Sequence, residues 1–182
     1  MRGLGVSFEV RATDVDESLG GEVDHREAAE LLALRKARAA DSWLDAETAT
    51  LTADSVVLLG GELLGKPVDL DEARATLARL CGATHEVRTG FCVSWQTTDG
   101  QVRRIHDTAS TLVTLQSADA REIERYVAAQ PPLDRAGSYG IQDWIGLAKA
   151  TRLEGSYTNV MGLPTAEVYA ALRRAELLTL RT

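Results

Sequence analysis

Apolar and polar residues change rhythm several times along this chain, and each change marks an element. From Ser7 to Ala12 they alternate, with Phe8 and Val10 on one side, which predicts a short strand ahead of the acidic stretch Asp14-Val15-Asp16-Glu17. A loop over 18–23 leads into a helical period from His25 to about Trp43. There Asp24 stands as N-cap, Ala28, Leu31, Leu32 and Ala39 form the apolar face, and Arg35, Lys36 and Arg38 gather toward the end where the helix dipole favours cations. Thr48 to Leu59 reads as a strand with Asp54 in its middle, and Gly60-Gly61 turns the chain back into Glu62-Leu63-Leu64.

The second half repeats the alternation of elements. Asp69-Leu70-Asp71-Glu72 has the spacing of a capping box, Ala73, Leu77 and Leu80 give the helix behind it an apolar stripe, and Gly82 ends it. Residues 85–98 and 101–116 form two strand-like runs around Asp99-Gly100, a strong hairpin signal. A third helix, capped by Ser117 or Asp119 and carrying Ile123, Tyr126 and Val127, stops before Pro131-Pro132. Leu133 to Gly162 is rich in glycine and polar residues and reads as loop, with one short strand near 147–153, and Pro164 opens a last helix through about Leu178. Strands interleaved with helices, with a hairpin among them, predict a single α/β domain over 1–182 with a mixed, elongated sheet flanked by helices.

Composition narrows the class. Hydrophobic residues make up 45% of the 182 positions and charged residues 26%, which argues for a folded globule and against disorder. The net charge of -7, with no Lys/Arg run longer than two, lacks the footprint of a nucleic-acid-backbone binder. Cys81 and Cys92 form no CxxC pattern, and His25, His85 and His106 show neither an i, i+4 pair nor HExxH, so no zinc site is indicated. No apolar run approaches the roughly 20 residues of a membrane span and no signal peptide is recognisable, so a cytoplasmic setting is expected, away from membranes.

Four features bear on chemistry. Gly60-Gly61-Glu62-Leu63-Leu64-Gly65-Lys66 has the spacing of a phosphate-binding P-loop, but Pro67 stands where a Ser or Thr hydroxyl and a helix start are needed. What remains is Asp54 and Lys66, a carboxylate able to take a proton from water and an ammonium able to neutralise phosphate charge, or else a solvated acid and a surface lysine. Asp14, Asp16 and Glu17 offer oxygens to a hard cation or form a merely solvated loop, and Lys36 poses the same choice. Asp134-Arg135-Ala136-Gly137-Ser138-Tyr139-Gly140-Ile141-Gln142 has the length and glycine content of a functional loop, with an amide able to read a base edge.

In order, these pieces resemble a known family. Phe8-Glu9-Val10 running to Glu17, Lys36-Ala37, Ala53-Asp54-Ser55-Val56-Val57, Leu64-Gly65-Lys66-Pro67, His85-Glu86-Val87-Arg88-Thr89-Gly90, the loop 134–142 and Gly155-Ser156-Tyr157-Thr158-Asn159-Val160-Met161-Gly162-Leu163-Pro164 are similar to the Maf, or septum-formation, family of nucleoside triphosphate pyrophosphatases. The resemblance runs from about Phe8 to Leu172. It implies hydrolysis between the α and β phosphates, a divalent cation (Mg2+ or Mn2+), a house-cleaning role and a homodimer. It also implies roles: Asp54 as proton acceptor, Glu17 with Asp54 at the metal, Lys36 and Lys66 against phosphate, and Ser55 with Gln142 in base selection. Ser55 and Gly140-Ile141-Gln142 look like the dTTP/UTP branch, with Ser55 in place of that branch's usual Thr.

The family pattern also opens with a strand and a Ser-x-Ser-Pro-Arg-Arg segment. That segment is not in this sequence, and Arg103-Arg104 and Arg173-Arg174 lack its context. The expectation is a chain short of the family's first strand and two phosphate-facing arginines. The alternative that follows is a catalytically impaired, nucleotide-binding regulatory protein linked to cell division.

Overall fold

Three long strands carry the architecture of the computed structural model, which describes residues 1, 4–19 and 23–178. They are β1 (Ala49–Leu59), β3 (Thr84–Gln96) and β4 (Val102–Leu115), joined in one sheet by the short β2 (Glu62–Leu64) and β5 (Ala150–Glu154) in the order β2-β1-β3-β4-β5. Among the described residues six α-helices accompany it: α1 (Ala28–Ala39), α2 (Leu70–Leu80), α3 (Ala120–Ala129), α4 (Trp144–Lys149), α5 (Tyr157–Val160) and α6 (Thr165–Arg174). The expected α/β class stands. The sequence rhythm suggested a mixed sheet, whereas the pairings of β2 with β1 and of β5 with β4 are antiparallel.

The chain divides into two compact units, Met1–Asp54 with Gly90–Ala109 and Leu163–Thr182, and Ser55–Thr89 with Ser110–Gly162. In the first, Phe91, Val93, Val168, Ala171 and Leu172 form the core, with Leu51, Ala53, Trp95 and Ile105 around them. Helix α1 buries Ala28, Ala29, Leu32, Ala33 and Ala37, leaving Leu31 half-buried and Ala39 exposed, so its inner stripe is mostly alanine. Small side chains let the helix axis come close to the strands. A Cβ on Gly90 of β3 would lie 2.4 Å from the Glu30 nitrogen, and the Thr52 hydroxyl of β1 donates to the Ala33 carbonyl at 2.8 Å.

The second unit has a larger aliphatic and aromatic core, in which Leu77 and Leu80 of α2 and Ile123, Tyr126 and Val127 of α3 meet Val57, Val87, Val113, Leu115, Tyr139, Ile141 and Ile145. The capping box appears at α3, where Asp119 accepts from Glu122 N and Glu122 returns the bond to Asp119 N. At α2 only half of it forms: Asp69 caps Glu72 N at 2.8 Å, but Glu72 Oε2 takes the Val68 amide instead.

Three expectations need correction. The segment 7–12 forms no strand; Phe8 is 47% and Val10 83% exposed, and an alternating pattern without a partner strand has no face to bury. The first helix ends at Ala39 and a 3-10 turn, Asp41–Trp43, replaces its expected last turn. Residues 133–162 hold two helices besides the expected strand, which lies at 150–154 rather than 147–153. The loop expected at 18–23 falls partly outside the described residues.

Candidate active site

Lys36 is the hub of the first unit's polar chemistry. Its Nζ donates to Glu17 Oε1 at 2.7 Å and to Asp54 Oδ2, with the lysine and aspartate side chains 19% and 13% exposed and Glu17 at 39%. Three local features build this triad. Thr52 and Asp54 share a face of β1 by strand alternation, and the Thr52 bond to Ala33 shows that this face meets α1. One turn along α1, Lys36 follows Ala33 on that side. Arg35 donates to the carbonyls of Asp16 and Ser18, at 2.9 Å for the latter, and so holds the acidic strap with Glu17 against the helix.

Electrostatics decides the protonation of the hub. Partial burial pulls the Lys36 pKa down, but the hydrogen bonds and charges of Asp54 and Glu17 outweigh it and hold the ammonium above its ordinary value. A lysine so held stays a cation and cannot serve as base, which leaves the carboxylates for that work. Two carboxylate oxygens converging on one cationic atom also form a donor set that suits a hard divalent ion. Among the described residues no group of three or more metal-binding side chains converges, so such an ion would rest on Glu17 and Asp54 together with substrate oxygens. Asp14 and Asp16 do not join them: both are exposed, and Asp16 is turned to the Ser18 amide and hydroxyl at 2.8 and 2.7 Å. Lys36 also borders a cavity of about 750 Å³ within the same unit, walled by Phe8, Trp43, Leu51 and Trp95.

The remaining sequence candidates belong to the second unit. Ser55 Oγ lies 2.8 Å from Thr89 Oγ1, and Thr89 donates to the Asn159 carbonyl at 3.0 Å. A hydroxyl has one proton, so Thr89 accepts from Ser55, and Ser55 is left with its lone pairs to offer. Thr89 and Asn159 are fully buried, and Asn159 Nδ2 binds Val87 O at 3.1 Å and Thr111 Oγ1 at 2.8 Å. Sequence reasoning assigned no role to Thr89 or Asn159; the signal was their place inside two of the quoted motifs.

The turn of Lys66 and the loop that carries Gln142 are joined through backbone. Both side chains are exposed, and Gly137 N of the 134–142 loop donates to the Gly65 carbonyl, next to Lys66, at 3.1 Å. Gln142 projects from an otherwise buried run, since 137–141 and Asp143 are all buried. Within this unit the lysine turn and the amide-bearing loop are therefore one structure.

The family described as Maf-like protein matches residues 1–175. A protein of Phocaeicola vulgatus is 38% identical over 175 residues, covering 96% of this chain and 88% of its own. One of Flavobacterium psychrophilum is 41% identical, with 94% and 85% covered, and one of an Anaeromyxobacter species is 43% identical, with 94% and 81% covered. Each of the three is named dTTP/UTP pyrophosphatase.

Proposed function

The chain belongs to the Maf-like protein family, and we propose that it is a nucleoside triphosphate pyrophosphatase acting on dTTP and UTP. The observation that carries the reading is the convergence of Glu17 and Asp54 on Lys36, two carboxylates and a permanent cation in one partly buried cluster. In the reaction a water oxygen bonds to the α-phosphorus, the bond from that phosphorus to the bridging oxygen breaks, and pyrophosphate leaves with the electron pair, giving the nucleoside monophosphate. Asp54 accepts the proton of the attacking water. Lys36 and Lys66 neutralise charge that grows on phosphate oxygens, where a fixed cation costs no reorganisation.

Glu17 and Asp54 would hold Mg2+ or Mn2+, which when bound supplies further neutralisation of the phosphates. Gln142, exposed on a buried loop, reads the base edge with an amide that can both donate and accept. Ser55 contributes acceptor lone pairs, which suit the imide N–H of uracil and thymine. The names of the relatives favour this hydrolase over the regulatory alternative.

Replacement of Asp54 by Asn tests the assignment. Loss of the proton acceptor lowers turnover by about 100-fold or more, in line with the usual worth of a positioned base, while circular dichroism and thermal melting stay close to the parent. Undiminished pyrophosphate release from dTTP and UTP would remove Asp54 from the chemistry.

A further inference from the structure

Asp143 occupies the position before α4, where an aspartate ordinarily accepts a hydrogen bond from its own helix. It makes no such bond. Its Oδ2 instead accepts from the Tyr126 hydroxyl at 2.8 Å, from Gly140 N at 3.2 Å and from the Arg135 guanidinium, with the side chain 8% exposed. Arg135 passes so close over Gly140 that a Cβ there would lie 1.7 Å from Nη1. One carboxylate thus ties the start, middle and end of the 134–143 loop to each other and to α3.

What this clasp encloses is conformationally costly. Gly137 and Ser138 are successive left-handed residues at φ 69° and 61°, and Ser138 is a buried non-glycine residue there. Such a turn persists only where its surroundings over-determine it. The turn has a task, because Gly137 N holds the Gly65 carbonyl beside Lys66, while Gln142 stands directly before Asp143.

We propose that Asp143 is a positioning residue for base discrimination: gripped by Arg135, Tyr126 and Gly140, it fixes the loop that presents Gln142 and supports the turn of Lys66. The proposal rests on the pyrophosphatase reading. The test is pyrophosphate release from UTP, dTTP and CTP by the parent chain, by Asp143→Asn, Tyr126→Phe and Gln142→Ala, and by the double variant of positions 142 and 143.

A carboxylate lost from the clasp should lower kcat/KM for UTP and dTTP by about 10- to 100-fold, the scale of an ångström-level misplacement. CTP should lose less, so discrimination falls. Because Asp143 acts through Gln142, adding Asp143→Asn to Gln142→Ala should reduce discrimination no further. Tyr126→Phe, which removes one of three donors and keeps the packed ring, should move discrimination in the same direction by a smaller factor, and it serves if Asp143→Asn fails to fold. An equal fall for all three nucleotides, or additive losses in the double variant, would make the clasp merely structural and overturn the proposal. A parent chain that releases pyrophosphate from none of them sinks the hydrolase reading and this one with it; an active parent with unchanged discrimination in the variants sinks this one alone.

Discussion

Lys36 earns its place through its neighbours: two carboxylates, one of them on a strand and mostly shielded, face a single ammonium. Replacing it with methionine keeps the stem's packing but takes from the mostly shielded Asp54 carboxylate the ammonium that it shares with Glu17. Since an unsatisfied charged group retains its full desolvation cost, we expect about 1–3 kcal/mol of lost stability, read as a shifted urea midpoint. If Glu17 and Asp54 hold the cation, added Mg2+ or Mn2+ should raise the urea midpoint of the parent and of Lys36→Met alike, because a ligand of the folded state stabilises it; no response in either would separate the cluster from any cation site. The residue types of this cluster were legible in the sequence, as was the flag raised by an acid in mid-strand. By composition alone Asp14, Asp16 and Glu17 are equivalent acids, and only the family resemblance set Glu17 apart; in the structure Arg35 grips the strap, Asp16 turns onto Ser18, and Glu17 is the acid that reaches Lys36.

At the scale of elements, α1 shows how close packing replaces bulk. Its buried stripe is nearly all alanine, and its backbone rests on Gly90, where a Cβ would stand 2.4 Å from Glu30 N and 2.5 Å from the Ala29 carbonyl group. Gly90→Ala must push α1 away from β3, and overpacking of this kind costs about 1–3 kcal/mol. The expected result is a lower urea midpoint, with weaker turnover as well, because α1 carries Lys36; an unchanged midpoint would mean that the helix yields freely. Elements with strong local signals were read well from sequence: Asp99-Gly100 does set the turn between β3 and β4, and Asp119 with Glu122 does cap α3. The errors have different causes. The alternation at 7–12 needs a neighbouring strand to become one, and α4 was hidden because Gly146 interrupts a helix only 6 residues long. Helix α5, four residues long, has too little length to show a period at all.

For the molecule as a whole, stability against acid depends on one buried histidine of the second unit. His85 is 1% exposed, its Nε2 lies 2.7 Å from the Tyr139 hydroxyl, and its Nδ1 has no partner. Burial lowers its pKa from 6.5 to about 4, because an imidazolium there would be desolvated and unpaired. Above pH 6.5 the ring is neutral in both folded and unfolded chains and takes nothing from stability. As pH falls from 6.5 to about 4 the unfolded chain binds the proton and the folded chain does not, so stability declines across that window by about 3 kcal/mol in all. A second decline follows at lower pH. Glu62, Glu122 and Glu124 are held below the ordinary carboxylate range by hydrogen bonds to Arg79, Lys149 and Arg74, and the stability those pairs contribute is lost as each is protonated. All three glutamates are solvent-facing, so this part is small and weakens further in salt. Thermal melting between pH 7 and 4 separates the two: His85→Asn, which cannot titrate, should flatten the upper window while leaving the salt-sensitive fall below pH 4.5 in place. An unaltered slope between pH 6.5 and 4 in that variant would show that His85 takes up its proton in the folded state as readily as in the unfolded one.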